Sequence, residues 1–191
     1  MMRIITGSAR GTHLFTLPGD ATRPTSERAK EAVFSMLQQK PVGARVLDLF
    51  AGSGQLGLEA LSRGAAAAVF VDGAKGAVQI LRKNAEKTHL EARATILQSD
   101  ALAYLRSCRE QPFDLVFLDP PYAAGLLPAA LRLLTERRLL HPHAVIVAES
   151  GAAEDVFGTD TELISRFQIQ KQSRYGVAYI ALLTPSGEEN I

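Results

Sequence analysis

The chain is organised around the sequence Phe113-Asp114-Leu115-Val116-Phe117-Leu118-Asp119-Pro120-Pro121-Tyr122. Its apolar part, residues 113–118, is typical of a strand that is buried on both faces of a sheet. The two prolines prevent this strand from continuing. We therefore expect a carboxylate, two rigid rings and an aromatic ring at the carboxyl end of a central strand, which is the edge where open α/β sheets bind their ligands.

Strand-like and helix-like segments alternate on both sides of this stretch. Further strands are predicted at 46–50, 66–72, 94–98 and 144–149, and helices at 55–63, 75–88, 101–108 and 126–139. Repeating units of this length predict a parallel sheet with helices on both faces, which is a doubly wound α/β fold. Near the end of the chain, residues 163–172 and 177–183 lie too close together for a helix between them. They predict an antiparallel hairpin at one edge.

The first 40 residues differ from this pattern. Two short strands are predicted at 3–6 and 13–17, around a turn bracketed by Gly7 and Gly11. Thr25 can cap the amino end of a following helix. The apolar face predicted for that helix consists of Ala29, Val33, Met36 and Leu37.

Positive charge is concentrated in the same region. Residues 1–40 contain six Lys or Arg and three acidic residues, whereas the whole chain has a net charge of only +1. Arg28 and Lys30 are predicted on the polar side of the helix, and with Arg10 and Arg23 they would form a strip that contacts phosphates. The alternative for each of these residues is ordinary solvated surface charge.

The composition bounds the class of protein. With 191 residues, 47% of them hydrophobic and 21% charged, the chain fits one principal domain with a small appendage. A single cysteine, Cys108, excludes an intramolecular disulfide and suits a reducing cytosol. We expect a cytoplasmic protein, because the sequence has neither a secretory signal nor an apolar stretch of about 20 residues. The four histidines lack metal-ligand spacing, so no metal site is predicted.

The residues that follow the central strand suit chemistry at an amino group attached to an aromatic ring. Such a nitrogen is a poor nucleophile because its lone pair is delocalised into the ring. The Asp119 carboxylate and the Pro120 carbonyl can each accept one N–H and turn the lone pair toward an electrophile. Tyr122 can stack on the ring that carries the amine. The alternative is a strand-ending turn in which Asp119 only caps the following helix.

A glycine-rich segment follows the first predicted strand of the sheet. In Asp48-Leu49-Phe50-Ala51-Gly52-Ser53-Gly54-Gln55-Leu56-Gly57, the glycines at 52 and 54 let the backbone approach a ligand closely. The literal match to G-x-G-x-x-G leaves a nicotinamide dinucleotide as one candidate ligand. Asp48 is unfavourable beside a pyrophosphate, but it suits the ammonium of a methionine-like ligand.

Two further acids end the next two strands. Asp72 can accept hydrogen bonds from two ribose hydroxyls in either cofactor. Asp100 is placed to accept a hydrogen bond from an adenine amino group. Each acid alone is more simply explained as a strand-end cap. Three acids at successive strand ends beside a glycine loop favour S-adenosylmethionine over NAD.

The glycine-rich segment followed by Asp119 to Tyr122 resembles the class I S-adenosylmethionine-dependent methyltransferases that modify exocyclic amines. A fuller set of motifs is similar to the bacterial 16S ribosomal RNA guanine-N2 methyltransferase family, the D member of the small-subunit set. These motifs are Arg3-Ile4-Ile5 with Gly7 and Arg10-Gly11, Arg23-Pro24-Thr25 with Arg28 and Lys30-Glu31, Leu47 to Gly64, and Asp119 to Tyr122. The resemblance covers nearly the whole chain.

The resemblance implies a seven-stranded sheet whose last strand is antiparallel, and methyl transfer from S-adenosylmethionine to one guanine N2 in 16S rRNA. It implies a methyltransferase domain at 41–185, between an RNA-engaging extension at 1–40 and a frayed tail at 186–191. The expected cofactor contacts are Asp48, Phe50, Gly52, Gly54, Asp72 and Asp100. The expected contacts to the target base are Asp119, Pro120 and Tyr122, and those to RNA are Arg10, Arg23, Thr25, Arg28 and Lys30.

Three other functions stay open at this point. DNA adenine-N6 methylation would use the same Asp-Pro-Pro-Tyr chemistry, although the chain shows no large DNA-recognition segment. An NAD-dependent dehydrogenase would share the glycine loop. A non-catalytic RNA-binding module would need only the basic first segment. As a partner we expect 16S rRNA within the small ribosomal subunit, and we expect a monomer that has no contact with membranes.

Overall fold

The structure, a computed structural model, describes residues 2–16, 27–121 and 125–187. The strands are β1 (Arg45–Asp48), β2 (Ala67–Asp72), β3 (Ala94–Gln98), β4 (Phe113–Leu118), β5 (Leu140–Ser150), β6 (Phe167–Tyr175) and β7 (Ala178–Pro185). The helices are α1 (Glu27–Leu37), α2 (Gln55–Ser62), α3 (Lys75–Lys87), α4 (Ala101–Ser107), α5 (Leu126–Glu136) and α6 (Thr161–Ser165). The strands form one sheet in the order β3-β2-β1-β4-β5-β7-β6.

The first five strands are parallel, and the last two form an antiparallel hairpin. β4 lies between β1 and β5 and runs in the same direction as both. β7 pairs antiparallel with β5 and with β6. These pairings confirm the predicted doubly wound, mostly parallel α/β sheet with a C-terminal hairpin. Because the strand order reverses between β1 and β4, their carboxyl ends flank the crevice where such sheets bind ligands.

Apolar layers on both faces of the sheet attach the helices. Residues of α1, α2 and α3 pack on one face, and residues of α4, α5 and α6 pack on the other. The central strand β4 contributes to both layers, with Leu115 and Phe117 in the first and Val116 and Leu118 in the second. Burial of both faces explains why this strand is an almost continuous apolar run.

Two element boundaries differ from the prediction. β5 begins at Leu140 instead of residue 144, because Leu140 already pairs with Phe113 on β4. Residues 163–165, for which the sequence predicts a strand, belong instead to α6. The Asp160 carboxylate caps this helix by accepting the Leu163 N–H at 2.9 Å, and β6 starts only at Phe167.

The N-terminal segment, residues 2–16, is not the pair of strands that the sequence predicts. A single antiparallel bridge joins Arg3 and His13 within it. A side chain of α2 takes up part of its backbone hydrogen bonding, because the Glu59 carboxylate accepts the N–H groups of Ile5 and Thr6 at 2.7 and 3.0 Å. The segment therefore packs on the domain without a regular strand ladder.

The predicted RNA contact at Lys30 is wrong, because Lys30 is buried. Its side chain is 1% exposed, and its Nζ donates to the Arg3 carbonyl and lies 3.5 Å from Glu59 Oε2. Burial lowers the pKa of Lys30, and the neighbouring Glu59 carboxylate opposes this shift. Arg28, on the same helix, is exposed. Lys30 thus joins α1 to α2 and to the N-terminal segment instead of facing solvent.

Candidate active site

Four carboxylates lie along the carboxyl edge of the sheet and line one cavity. Asp48 and Asp72 end β1 and β2, Asp119 directly follows β4, and Asp100 follows β3 after Ser99. All four border a cavity of about 380 Å³, called the main cavity below, which Phe50 and Gly52 of the glycine loop also line. Since these strands are neighbours in the sheet, acids separated by as many as 71 residues in sequence come to face one space.

The glycines after β1 let the loop approach helix α3 and let helix α2 approach the sheet. Gly54 has a φ of +83°, and a Cβ at this position would lie 2.1 Å from Leu81 Cδ1. A Cβ on Gly57 would lie 2.3 Å from Phe70 Cε1. The close approach lets the Gly57 N–H donate to Asp48 Oδ2 at 2.9 Å. The glycine pattern therefore fixes both the loop and the carboxylate at the end of β1.

Asp48 is buried, with 3% of its surface exposed. Burial raises its pKa to about 7, the Gly57 N–H opposes the shift, and the nearby Asp72 carboxylate adds to it. The carboxyl group is therefore close to half ionised at neutral pH. A cation bound in the cavity would favour the ionised form, so the site is adapted to a positively charged ligand group.

Asp72 and Asp100 are held in place by backbone N–H groups. Asp72 Oδ2 accepts from Gly52 and its Oδ1 accepts from Ala74, both at 2.8 Å. Asp100 Oδ1 accepts from Ala103 at 2.8 Å and caps α4. Each carboxylate oxygen can accept a second hydrogen bond. The two acids therefore cap local structure and also present acceptors to the cavity.

The residues after β4 divide between two cavities. Asp119 is half-buried and lines the main cavity together with Pro121. Pro120 is buried and lines a second cavity of about 120 Å³, which Pro121 also borders. Pro121 thus borders both the cavity beside Asp119 and the smaller cavity beside Pro120. Tyr122 lies outside the described residues.

Met2, Ser53 and Asn84 are among the residues at the site that the sequence does not predict. Met2 of the N-terminal segment and Ser53 of the glycine loop line the main cavity, and their Sδ and Oγ atoms are 3.5 Å apart. Asn84 on α3 is fully buried and donates to the Ser53 carbonyl at 2.8 Å. Met, Ser and Asn are common residue types, and only the tertiary fold brings these three together.

Two of the residues predicted to contact RNA, Arg10 and Arg28, are exposed and do not line the cavity. Arg23 and Thr25 lie outside the described residues. In the ranges that the structure describes, no group of three His, Cys, Asp or Glu side chains is arranged to hold a metal ion. The helices in those ranges are all too short or too polar to cross a lipid bilayer.

Comparison with known proteins matches this chain to one family along nearly its full length. The family model described as conserved hypothetical protein 95 matches residues 2–184. A relative from Haemophilus influenzae, named ribosomal RNA small subunit methyltransferase D, is 39% identical over 151 residues, which are 78% of this chain and 78% of the relative. A solved structure from Escherichia coli, provisionally named a methyltransferase (yhhF), has a TM-score of 0.85 at 33% identity and covers 98% of this chain and 99% of that chain.

A further solved structure contains ligands. It is described as a T. thermophilus 16S rRNA N2-guanine methyltransferase in complex with AdoMet and guanosine. Its TM-score is 0.64 at 28% identity, and the match covers 85% of this chain and 43% of that longer chain. The family match spans the glycine loop and all four cavity carboxylates. The chain therefore belongs to the ribosomal RNA small subunit methyltransferase D family, whose cofactor is S-adenosylmethionine.

Proposed function

We propose that this chain transfers the methyl group of S-adenosylmethionine to the exocyclic N2 of one guanine in 16S rRNA of the small ribosomal subunit. The observation that carries the proposal is the shared cavity of Asp48, which ends β1, and Asp119, which directly follows the neighbouring strand β4. One carboxylate suits the cationic end of the methyl donor, and the other suits the amine that accepts the methyl group. The name of the relative supports methylation of small-subunit rRNA, and the ligand-bound structure is that of a guanine-N2 methyltransferase.

The cavity residues fit S-adenosylmethionine better than a dinucleotide. Asp48 would hold the ammonium of the methionine part, Asp72 the ribose hydroxyls and Asp100 the adenine amino group. Phe50 would pack against the ligand, while the glycines at 52 and 54 let the loop backbone approach it. A pyrophosphate would meet several carboxylates in this cavity, which disfavours NAD.

The role proposed for Asp119 is to position the target amine. When bound, S-adenosylmethionine supplies an electrophilic methyl group on a positively charged sulfur. The Asp119 carboxylate and the Pro120 carbonyl would accept the two N–H groups and turn the nitrogen lone pair toward that methyl group. Asp119 would also stabilise the positive charge that develops on the nitrogen, and the proton would leave to water or to Asp119. Tyr122 would stack on the guanine after it leaves its RNA stack.

The RNA would approach from the N-terminal side. Arg10 and Arg28 are exposed and can contact phosphates, and Arg23 and Thr25 are proposed to contribute to the same strip. Residues 1–40 would thereby engage RNA while residues 41–185 carry the transfer. We propose that a single copy of the chain acts on the rRNA of the small subunit.

Substrate class can be tested directly with labelled S-adenosylmethionine. Naked 16S rRNA, small ribosomal subunits and duplex DNA are each incubated with the protein, and the methylated nucleoside is identified after digestion. We expect N2-methylguanosine from one of the two RNA samples and no labelled nucleoside from DNA. Labelled N6-methyladenine from duplex DNA would contradict the proposal and assign the chain to DNA methylation instead.

Cofactor affinity is expected to depend on pH through Asp48. The pKa of this group is raised to about 7, so its ionised share, and with it the attraction for the ligand ammonium, increases as the pH rises through neutrality. Calorimetry with S-adenosylhomocysteine is expected to give about tenfold tighter binding at pH 8 than at pH 6. Asp48→Asn should bind more weakly and lose this pH dependence. If the affinity of the wild type and that of Asp48→Asn changed equally with pH, the role assigned to Asp48 would be contradicted.

A further inference from the structure

Asn84 joins three parts of the molecule that are distant in sequence. Its amide is fully buried on α3. Its Oδ1 accepts the Phe15 N–H at 2.8 Å, and its Nδ2 donates to the Phe15 carbonyl at 3.0 Å. The same Nδ2 donates to the Ser53 carbonyl at 2.8 Å. One side chain thus binds the end of the N-terminal segment and the centre of the glycine loop together.

The other end of the N-terminal segment also reaches the glycine loop. Met2 lines the main cavity, and its Sδ lies 3.5 Å from the hydroxyl of Ser53. Ser53 is itself buried and lines the cavity. Residues 2–16 therefore contact the loop at two points, one through a side chain in the cavity wall and one through Asn84.

We propose that Asn84 is a positioning residue for the glycine loop. By hydrogen bonding to both this loop and residues 2–16, it makes the N-terminal segment necessary for cofactor binding. The identity of the ligand in this inference rests on the proposed function. A buried carbonyl that loses its donor is costly, so the loop backbone around Ser53 would rearrange without Asn84. A change in the position of the N-terminal segment, which is expected to contact RNA, would therefore also change the position of the glycine loop, since both are hydrogen bonded to Asn84.

The chain offers a matched control at Ser62. Its hydroxyl donates to the Thr6 carbonyl at 2.6 Å and accepts the Ala9 N–H at 3.0 Å. Like Asn84, Ser62 is a buried polar side chain that holds the N-terminal segment. It does not line the main cavity. Comparison of Asn84→Ala with Ser62→Ala therefore separates loss of the segment's attachment from loss of the loop's position.

The test measures S-adenosylhomocysteine affinity by calorimetry, thermal unfolding, and hydrogen exchange at the amides of Gly52 and Gly54. Both variants are expected to unfold at a lower temperature than the wild type. Only Asn84→Ala is expected to bind the ligand about tenfold more weakly and to exchange the two loop amides faster. In turnover with RNA, the KM for S-adenosylmethionine should rise more than kcat falls. Should the alanine variant fail to fold, Asn84→Asp keeps the size of the side chain and the hydrogen bond from the Phe15 N–H. It is expected to show the same loss of ligand affinity.

The inference is overturned if Asn84→Ala, or Asn84→Asp in its place, binds the ligand as the wild type does. It is equally overturned if Ser62→Ala weakens binding as much, because a general loss of stability would then explain both results. Failure of the wild type to bind S-adenosylhomocysteine would instead contradict the proposed function. The exchange rates at Gly52 and Gly54 in the ligand-free proteins would still decide whether Asn84 positions the loop.

Discussion

Replacement of Asp119 by alanine is expected to lower kcat by about 10²- to 10³-fold while leaving affinity for S-adenosylhomocysteine within about twofold of the wild type. Asp119 lines the cavity at the end of β4, beyond the glycine loop and the strand ends that would hold the cofactor. Its proposed partner is the guanine amine, whose lone pair needs an acceptor to orient it and a negative charge to stabilise it in the transition state. The loss should therefore be seen in turnover and not in cofactor binding.

Two comparisons sharpen this prediction. Asp119→Asn keeps an acceptor oxygen but removes the charge, so it should retain more activity than the alanine variant. Asp114 lies at the other end of the same strand, where its Oδ2 accepts the Arg45 N–H at 2.8 Å. Asp114→Ala is therefore a matched carboxylate deletion far from the cavity, and its kcat should stay within about twofold of the wild type. If Asp119→Ala methylates RNA at the wild-type rate, Asp119 does not orient the amine.

Local sequence patterns are sufficient to predict the parts of the site that lie at strand ends. The acids at 48, 72 and 119 follow apolar residues directly, Asp100 follows Gln98 and Ser99 at the end of its strand, and parallel strands bring such positions to one edge. The glycines at 52, 54 and 57 are likewise visible as a motif: a Cβ at Gly54 or Gly57 would collide with a neighbouring side chain, and Gly52 has a φ of +54°. The doubly wound, mostly parallel sheet follows from the same alternation of runs, whereas the order of its strands is known only from the structure.

Residues that act across long sequence separations are beyond this kind of prediction. The helix periodicity of α1 places Lys30 next to the apolar face, but its charge predicts that its side chain is exposed to solvent. The deciding partner is Glu59, which is fully buried on helix α2. Asn84 and Phe15 are 69 residues apart, and neither has a neighbouring motif. Such pairs are fixed by the packing of the N-terminal segment, which leaves no periodic signal in sequence.

Loss of Glu59 is expected to cause the largest change in stability. Its carboxylate is fully buried and accepts from Arg63 Nε at 2.8 Å, besides the two N-terminal N–H groups and the Lys30 ion pair. Glu59→Ala would leave the Lys30 ammonium buried without its counter-ion. We expect the free energy of unfolding to fall by about 3–5 kcal/mol, measured by urea unfolding followed by circular dichroism.

The exposed pair between Glu162 and Arg166 is the matched control for Glu59. It has the same i,i+4 spacing and the same residue types as the Glu59–Arg63 pair, but the Glu162 side chain is 61% exposed. Glu162→Ala should change the free energy of unfolding by less than about 0.5 kcal/mol. The decrease in the free energy of unfolding for Glu59→Gln should lie between those of Glu59→Ala and Glu162→Ala. An amide oxygen can still accept one N–H, while the charge opposite Lys30 is lost. If Glu59→Ala costs no more than Glu162→Ala, the buried ion pair does not hold the N-terminal segment, and its attachment comes from other contacts, such as the Ser62 and Asn84 hydrogen bonds and the burial of Ile4 and Leu14.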